Sequence, residues 1–283
     1  MTNQKPTLKC VDYTVSGETF ELLYDRDRDM LITTPKPDVE DLHTYYESTE
    51  YISHTDGKKS LFEKAYQLVK KYALAQKVRL ITHLNSEEGT LLDVGAGTGD
   101  FLVAAKNGGW NVHGSEPNEG ARMLAKEKGV VLEKDTTNHE TAFYDCITMW
   151  HVLEHVPDLE SQVTELNRLL KPGGHLIIAV PNFKSYDANH YKEFWAAYDV
   201  PRHLWHFSKN SIKQIFESDF SLEKVLPMKF DAFYVSLLSE KYKSGKMNFI
   251  KAFWNGLRSN YYGKQKNEYS SHIYILKKTK IAK

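Results

Sequence analysis

Leu91-Leu92-Asp93-Val94-Gly95-Ala96-Gly97-Thr98-Gly99-Asp100 is the stretch whose reading decides the fold. The apolar run that opens it, residues 90–94, has the length and composition of a buried strand. Three glycines at alternate positions follow, then the helical-looking Phe101-Leu102-Val103-Ala104-Ala105-Lys106. A strand, a glycine turn and a helix bring backbone N–H groups close to a nucleotide-like ligand. Glycine is needed there because a Cβ would block the approach and because so tight a turn often takes a positive φ. Asp93 stands two residues before the first glycine, and Glu116 ends the next apolar run, Trp110-Asn111-Val112-His113-Gly114-Ser115. An acid at the end of a second strand is placed to accept hydrogen bonds from two ribose hydroxyls.

The Asp-Val-Gly-Ala-Gly-Thr-Gly pattern of Asp93 to Gly99 resembles the first motif of the class I S-adenosylmethionine-dependent methyltransferases, and Glu116 resembles their ribose acid. The resemblance implies S-adenosylmethionine as cofactor, held by Asp93, Gly95, Ala96, Gly97, Gly99, Glu116 and Pro117. It further implies Asp135 and Thr136 beside the adenine amino group and Trp150 beside the methionine part. Dinucleotide enzymes usually show Gly-x-Gly-x-x-Gly, so the spacing here disfavours an NAD(P)-binding oxidoreductase.

Outward from that stretch, strand-like and helix-like runs alternate. Residues 118–128 read as a helix ended by Gly129, Val130-Val131-Leu132 as a third strand, and Tyr144-Asp145-Cys146-Ile147-Thr148-Met149 as a fourth. A helix over about residues 159–170 stops at Lys171-Pro172-Gly173-Gly174, and His175-Leu176-Ile177-Ile178-Ala179-Val180 is the fifth strand. Residues 211–217 read as a helix, 221–226 and 273–276 as the last strands, with helical stretches near 232–242 and 249–257 between them. Such alternation predicts an α/β fold, a Rossmann-like doubly wound sheet covered on both faces. The resemblance implies seven strands with the last antiparallel.

Residues 1–40 are expected to form a small β appendage, with Tyr13-Thr14-Val15, Phe20-Glu21-Leu22-Leu23-Tyr24 and Met30-Leu31-Ile32-Thr33 as its strands. Cys10 is the only cysteine there, so no structural zinc is expected. Residues 41–85 are expected to form an N-terminal helical cap, with helical spacing over about 60–81; the aromatic stretch containing Tyr46 and Tyr51 either packs in the ordinary way or, as the resemblance implies, covers the ligand. Residues 86–283 form the cofactor-binding domain, with insertions at 182–208 and 229–268.

Composition bounds the partners. Lys+Arg and Asp+Glu both number 37, so no basic excess argues for a nucleic acid. Two cysteines far apart exclude a disulfide framework, no apolar run has membrane-spanning length, and no signal-peptide pattern opens the chain; a cytoplasmic protein is expected. The oligomeric state is left open.

Three stretches carry the remaining chemistry. His151-Val152-Leu153-Glu154-His155 matches H-x-x-E-H, but Pro157 biases Val156 away from the helix that a zinc site of that type needs, and a third ligand is required. Ubiquinone-pathway O-methyltransferases resemble this stretch and can hold a divalent cation on an acid-x-x-Glu-His triad; here His151 replaces the leading acid, and no metal is expected. Residues 182–208 are strongly aromatic and end in Asp199-Val200-Pro201-Arg202-His203-Leu204-Trp205-His206-Phe207-Ser208, which resembles a signature of one methyltransferase branch. A long connection at the sheet's carboxyl edge is expected to select the acceptor.

The expected function is methyl transfer to a small-molecule oxygen or nitrogen. His151 and His203 are the candidate bases, since histidine titrates nearest neutrality. Tyr51, Asn182, Arg202 and His206 are the candidate acceptor contacts. A non-catalytic nucleoside-binding protein that uses the aromatic segment for a protein partner is the alternative from another class.

Overall fold

The computed structural model of the chain describes residues 7–38, 40–46, 61–85 and 88–279, and within the helix that opens at Leu61 it describes side chains from residue 67 onward. Tyr51, expected to contact the acceptor, lies outside the described residues.

Strands β1 (Leu8–Val11), β2 (Thr19–Asp25) and β3 (Met30–Thr34) form an antiparallel meander. Tyr13, Thr14 and Val15 were expected in its first strand and instead lie in the turn after it. The reason is Asp12, whose carboxylate accepts from the N–H groups of Thr14, Val15 and Ser16 and so draws the backbone out of the ladder.

Helix α1 (Leu61–Asn85) leads into β4 (Thr90–Val94), the glycine turn and α2 (Asp100–Asn107). Next come β5 (Asn111–Ser115), α3 (Glu119–Glu127), β6 (Tyr144–Trp150), α4 (Leu159–Leu169) and β7 (Leu170–Pro181). Side-chain caps fix the starts of these helices: Asn118 accepts from Ala121 N–H and Asp158 from Glu160 and Ser161 N–H. After α5 (Tyr186–Tyr191) and β8 (Trp205–His206) follow α6 (Lys209–Phe216), β9 (Phe220–Pro227), α7 (Asp231–Ser244), α8 (Phe249–Lys266) and β10 (Ser271–Lys278).

The main sheet has six strands in the order β5-β4-β6-β7-β10-β9, with β10 antiparallel to both neighbours. The seventh strand expected at Val130-Val131-Leu132 is reduced to one bridge between Ser115 and Glu133. Val131 is 76% exposed, so this edge lacks the two-sided cover that a full strand in a parallel sheet requires.

Adjacent residues divide between the sheet's two faces. Leu92, Ile147 and Ile178 pack with α4 and α6, while Leu91, Cys146 and Ile177 pack with α1, α2 and α3. That period of two is what a strand dictates once both faces are covered. The β-meander is completed by β8, where Leu31 pairs with His206 and Ile32 with Trp205, so the segment 182–208 ties the small sheet to the large one.

Candidate functional site

Strands β4, β5, β6 and β7 run parallel, and their carboxyl ends bring Gly95, Glu116, His151 and Asn182 to one edge. The chain leaves β4 toward β5 and returns to its other side as β6. The β4–β6 boundary is therefore the switch point at which open α/β sheets bind ligands.

At that boundary Gly95, Gly97 and Gly99 all have positive φ, at 70°, 54° and 75°. A Cβ on Gly95 would sit 2.5 Å from Val152 Cγ2, whereas a Cβ on Gly97 would meet nothing within 4 Å. Gly95 is thus required by both conformation and space, Gly97 by conformation. Gly95 and Ala96 N–H groups donate to Ser115 O, which holds the loop against the end of β5. Glu116 accepts from Gly97 N–H at 2.9 Å on Oε2 and from Asn118 N–H at 2.9 Å on Oε1. Each carboxylate oxygen keeps a further lone pair for a diol. Pro117 beside it is exposed, and its carbonyl accepts from Arg122.

Asp93 is buried and accepts from Thr148 Oγ1 at 2.6 Å across the switch point. Burial lifts its carboxyl to about 7, against the pull of Thr148 and Lys77. Lys77 of α1, which the sequence reading missed, places Nζ 4.1 Å above the Trp150 ring, and burial pushes its ammonium down to about 8 despite Asp93 and Asp231. Phe101 meets the same ring edge-on, and Trp150 Nε1 is a buried donor without a hydrogen-bond partner among the described residues. Asp135 is exposed and accepts from Thr137 N–H, and Thr136 donates to Glu165 of α4.

His151 has φ 58°, the left-handed region, which turns the chain sharply after β6. Its Nδ1 lies 3.4 Å from Glu154 Oε1 and its Nε2 3.2 Å from Asp231 Oδ2. Asp231 opens α7 and also escaped the sequence reading, since an acid in an insertion carries no local signal of its partner. Burial opposes charge on His151, but the two carboxylates overcome it and raise the imidazole to about 10. The base role expected of His151 needs a neutral ring, which the two carboxylates beside it disfavour.

Glu154 is buried, and beyond the 3.4 Å ion pair of Oε1 with His151 its carboxylate has no hydrogen-bond partner among the described residues. Ligand atoms of Glu154, His155 and His203 all lie within 4.8 Å of one another. His203 Nδ1 lies 2.9 Å from Ala197 O, which assigns the proton to Nδ1 and leaves Nε2 its lone pair. His155 Nδ1 lies 3.1 Å from Arg202 O and 3.0 Å from the Tyr46 hydroxyl. A ring nitrogen held by a backbone carbonyl, as in His203, is one way that metal-bound histidines are oriented. Glu154, His155 and His203 are placed so that they could hold a divalent cation, whereas His151 in place of the leading acid and Pro157 led to the expectation of no metal. His203, the other candidate base, is buried within this cluster.

The expected acceptor contacts are engaged in packing. Arg202 is buried and donates to Asp12, to both oxygens of Asp199 and to Tyr45 O, leaving its fork no room for an acidic group on an acceptor. Asn182 donates to Glu268 and to Tyr269 O and accepts from Lys184 N–H. His206 bonds to Thr33 Oγ1 in the small sheet. Among the aromatics of 182–208, Tyr191, Trp195 and Tyr198 form a core against β1 and β2 with Cys10, Phe20 and Leu22.

A family model described as "Methyltransferase domain" matches residues 48–223, more than half of the chain. The ubiquinone biosynthesis O-methyltransferase of Vibrio atlanticus is 38% identical over 108 residues, covering 34% of this chain and 46% of that protein. Its counterpart from Cronobacter sakazakii is 39% identical over 103 residues, covering 32% and 42%. The matched region thus spans less than half the length of these curated relatives. The solved geranyl diphosphate C-methyltransferase of Streptomyces coelicolor A3(2) shares the fold, with a TM-score of 0.57 at 14% identity over 86% of this chain and 98% of that one.

Proposed function

We propose, for a chain that belongs to the methyltransferase-domain family, that it transfers a methyl group from S-adenosylmethionine to a small-molecule oxygen or nitrogen. The observation that carries the reading is the glycine turn at the β4–β6 switch point, with Glu116 bonded to Gly97 N–H beside it.

S-adenosylmethionine supplies a methyl group on a sulfonium that leaves as a neutral thioether. The chain's contribution is then alignment. Glu116 takes the ribose hydroxyls on its remaining lone pairs. Gly95 and Gly97 allow close backbone approach. Asp93, lifted in pKa by burial, gains a full charge when a cationic amine pairs with it. The Trp150 face already holds one cation, Lys77 Nζ, and stabilises a sulfonium by the same quadrupole attraction. Lys77 must yield that face when the cofactor binds.

On the acceptor side His151 stands between Glu154 and Asp231 as a cation that holds two carboxylates in place. A divalent cation on Glu154, His155 and His203 would supply acidity to an acceptor hydroxyl nearby. Calorimetry tests the cofactor reading: S-adenosylmethionine and S-adenosylhomocysteine should bind, and NAD should not. Methyl-labelled cofactor with a metabolite extract then identifies the acceptor. Tight cofactor binding with no labelled product from any extract would favour the non-catalytic alternative.

A further inference from the structure

Helix α8 is inside out. Its buried face carries Ala252, Asn255, Gly256, Ser259 and Gly263, and its solvent face carries Ile250, Phe253, Trp254, Leu257 and Tyr261. Ile250 is 74% exposed, Trp254 58% and Tyr261 60%. At 3.6 residues per turn these five fall in a stripe about 100° wide, the width that normally faces a core.

The orientation is fixed by packing. A Cβ on Gly256 would sit 2.5 Å from the Phe233 ring of α7, and one on Gly263 2.8 Å from the Tyr269 ring. No larger residue can replace these glycines on the inner face. Two buried hydrogen bonds pin the same face: Asn255 Nδ2 donates to Tyr191 OH at 2.8 Å and Ser259 Oγ to Asp187 Oδ1 at 2.7 Å. Rotating α8 to bury its apolar stripe would break both bonds and drive side chains into α7.

The charge around the stripe has one sign. From residue 242 to residue 267 the chain holds Lys243, Lys246, Lys251, Arg258, Lys264 and Lys266 and no acidic residue, although its overall charge is balanced. All six are exposed, and among the described residues none forms an ion pair. A second copy of the chain would bring six like charges against six across a two-fold axis, which opposes self-association. An apolar and aromatic stripe flanked by lysine and arginine is instead the composition of a helix that lies in the interface of an anionic bilayer.

We propose that α8 docks the protein on anionic lipid, with Ile250, Phe253, Trp254 and Leu257 entering the headgroup boundary and Lys251 and Arg258 meeting the lipid phosphates. The stripe lies on the solvent face of α8 and contains none of the residues placed in the cofactor site, so the proposal stands or falls separately from the methyl-transfer reading.

Vesicles of phosphatidylcholine, with and without phosphatidylglycerol, test it by co-sedimentation of the full chain. The wild type should bind the phosphatidylglycerol vesicles, bind plain phosphatidylcholine at least tenfold more weakly, and lose binding as salt rises. K251E/R258E should weaken binding on the order of fivefold or more per basic residue changed. I250S/W254S should weaken it at any salt and leave thermal melting unchanged, because both side chains are exposed. Equal binding to the two vesicle types, no binding by the wild type, or a dimer in sedimentation velocity that I250S/W254S dissociates would each overturn the proposal.

Discussion

The Arg202 guanidinium and the Asp12 carboxylate, 190 positions apart in the chain, meet at 2.9 Å with both side chains sealed from solvent. Asp199 grips the other edge of the same guanidinium at 2.7 Å, so one cation closes the small sheet onto the segment that follows β7. Arg202→Ala leaves two carboxylates without their counter-charge and should cost about 3–5 kcal/mol of stability. Urea denaturation measures this, and a loss below about 1 kcal/mol would show the pair to be incidental.

Glu116→Ala should weaken S-adenosylmethionine binding by about 2–4 kcal/mol if both charge-assisted bonds to the ribose are lost. Glu116→Gln keeps the shape and one acceptor and should fall between the two. Calorimetry gives the ranking, and wild-type affinity in the alanine variant would sink the assignment.

At Gly95 a side chain meets two obstacles, the positive φ of 70° and Val152 Cγ2 at 2.5 Å. Gly95→Ala should therefore destabilise the fold by about 1–3 kcal/mol and depress cofactor affinity. Adding Val152→Ala opens the space but leaves the φ, so rescue should be partial. Full rescue would show that crowding alone requires this glycine.

His151 couples stability to alkaline pH. Its folded pKa is raised to about 10 by Asp231 and Glu154 against burial. A raised pKa contributes stability that is complete below the unfolded value near 6.5 and is lost as pH climbs through the folded value. The wild type should lose stability relative to His151→Gln between about pH 6.5 and 10. The slope should be shallower than about 1.4 kcal/mol per pH unit, because about a third of the side chain (35%) faces solvent, which screens the pair. Parallel melting curves for the two proteins across that window would refute the coupling.

Cobalt(II) titration tests the cluster of Glu154, His155 and His203 through its visible absorption, apart from any turnover. One ion per chain is expected, with ligand-field bands that vanish in Glu154→Gln and in His203→Ala. Identical spectra in the wild type and both variants would place any bound cobalt elsewhere.

The strand–glycine–helix unit at Asp93 to Lys106, the strands at 144–149 and 175–180 and the helices that begin near residues 118 and 159 were all legible in the sequence. They follow from local causes: period-two burial on a covered sheet, positive φ at glycine, and a side chain capping its own helix. The third strand was misread because an apolar run does not report whether both of its faces will be covered, and Val131 remains exposed. The charge states and partners of the site residues depended on contacts that no local pattern encodes. His151 looks like a free base in the chain and becomes a cation only where α7 delivers Asp231 to it. Arg202 and His206 look like ligand contacts and are bonded within and beside the β-meander, and the placing of His203 beside Glu154 and His155 follows only from the fold. Backbone conformation is set by neighbours in sequence, whereas the protonation and pairing of a side chain are set by neighbours in space, and only the fold supplies those.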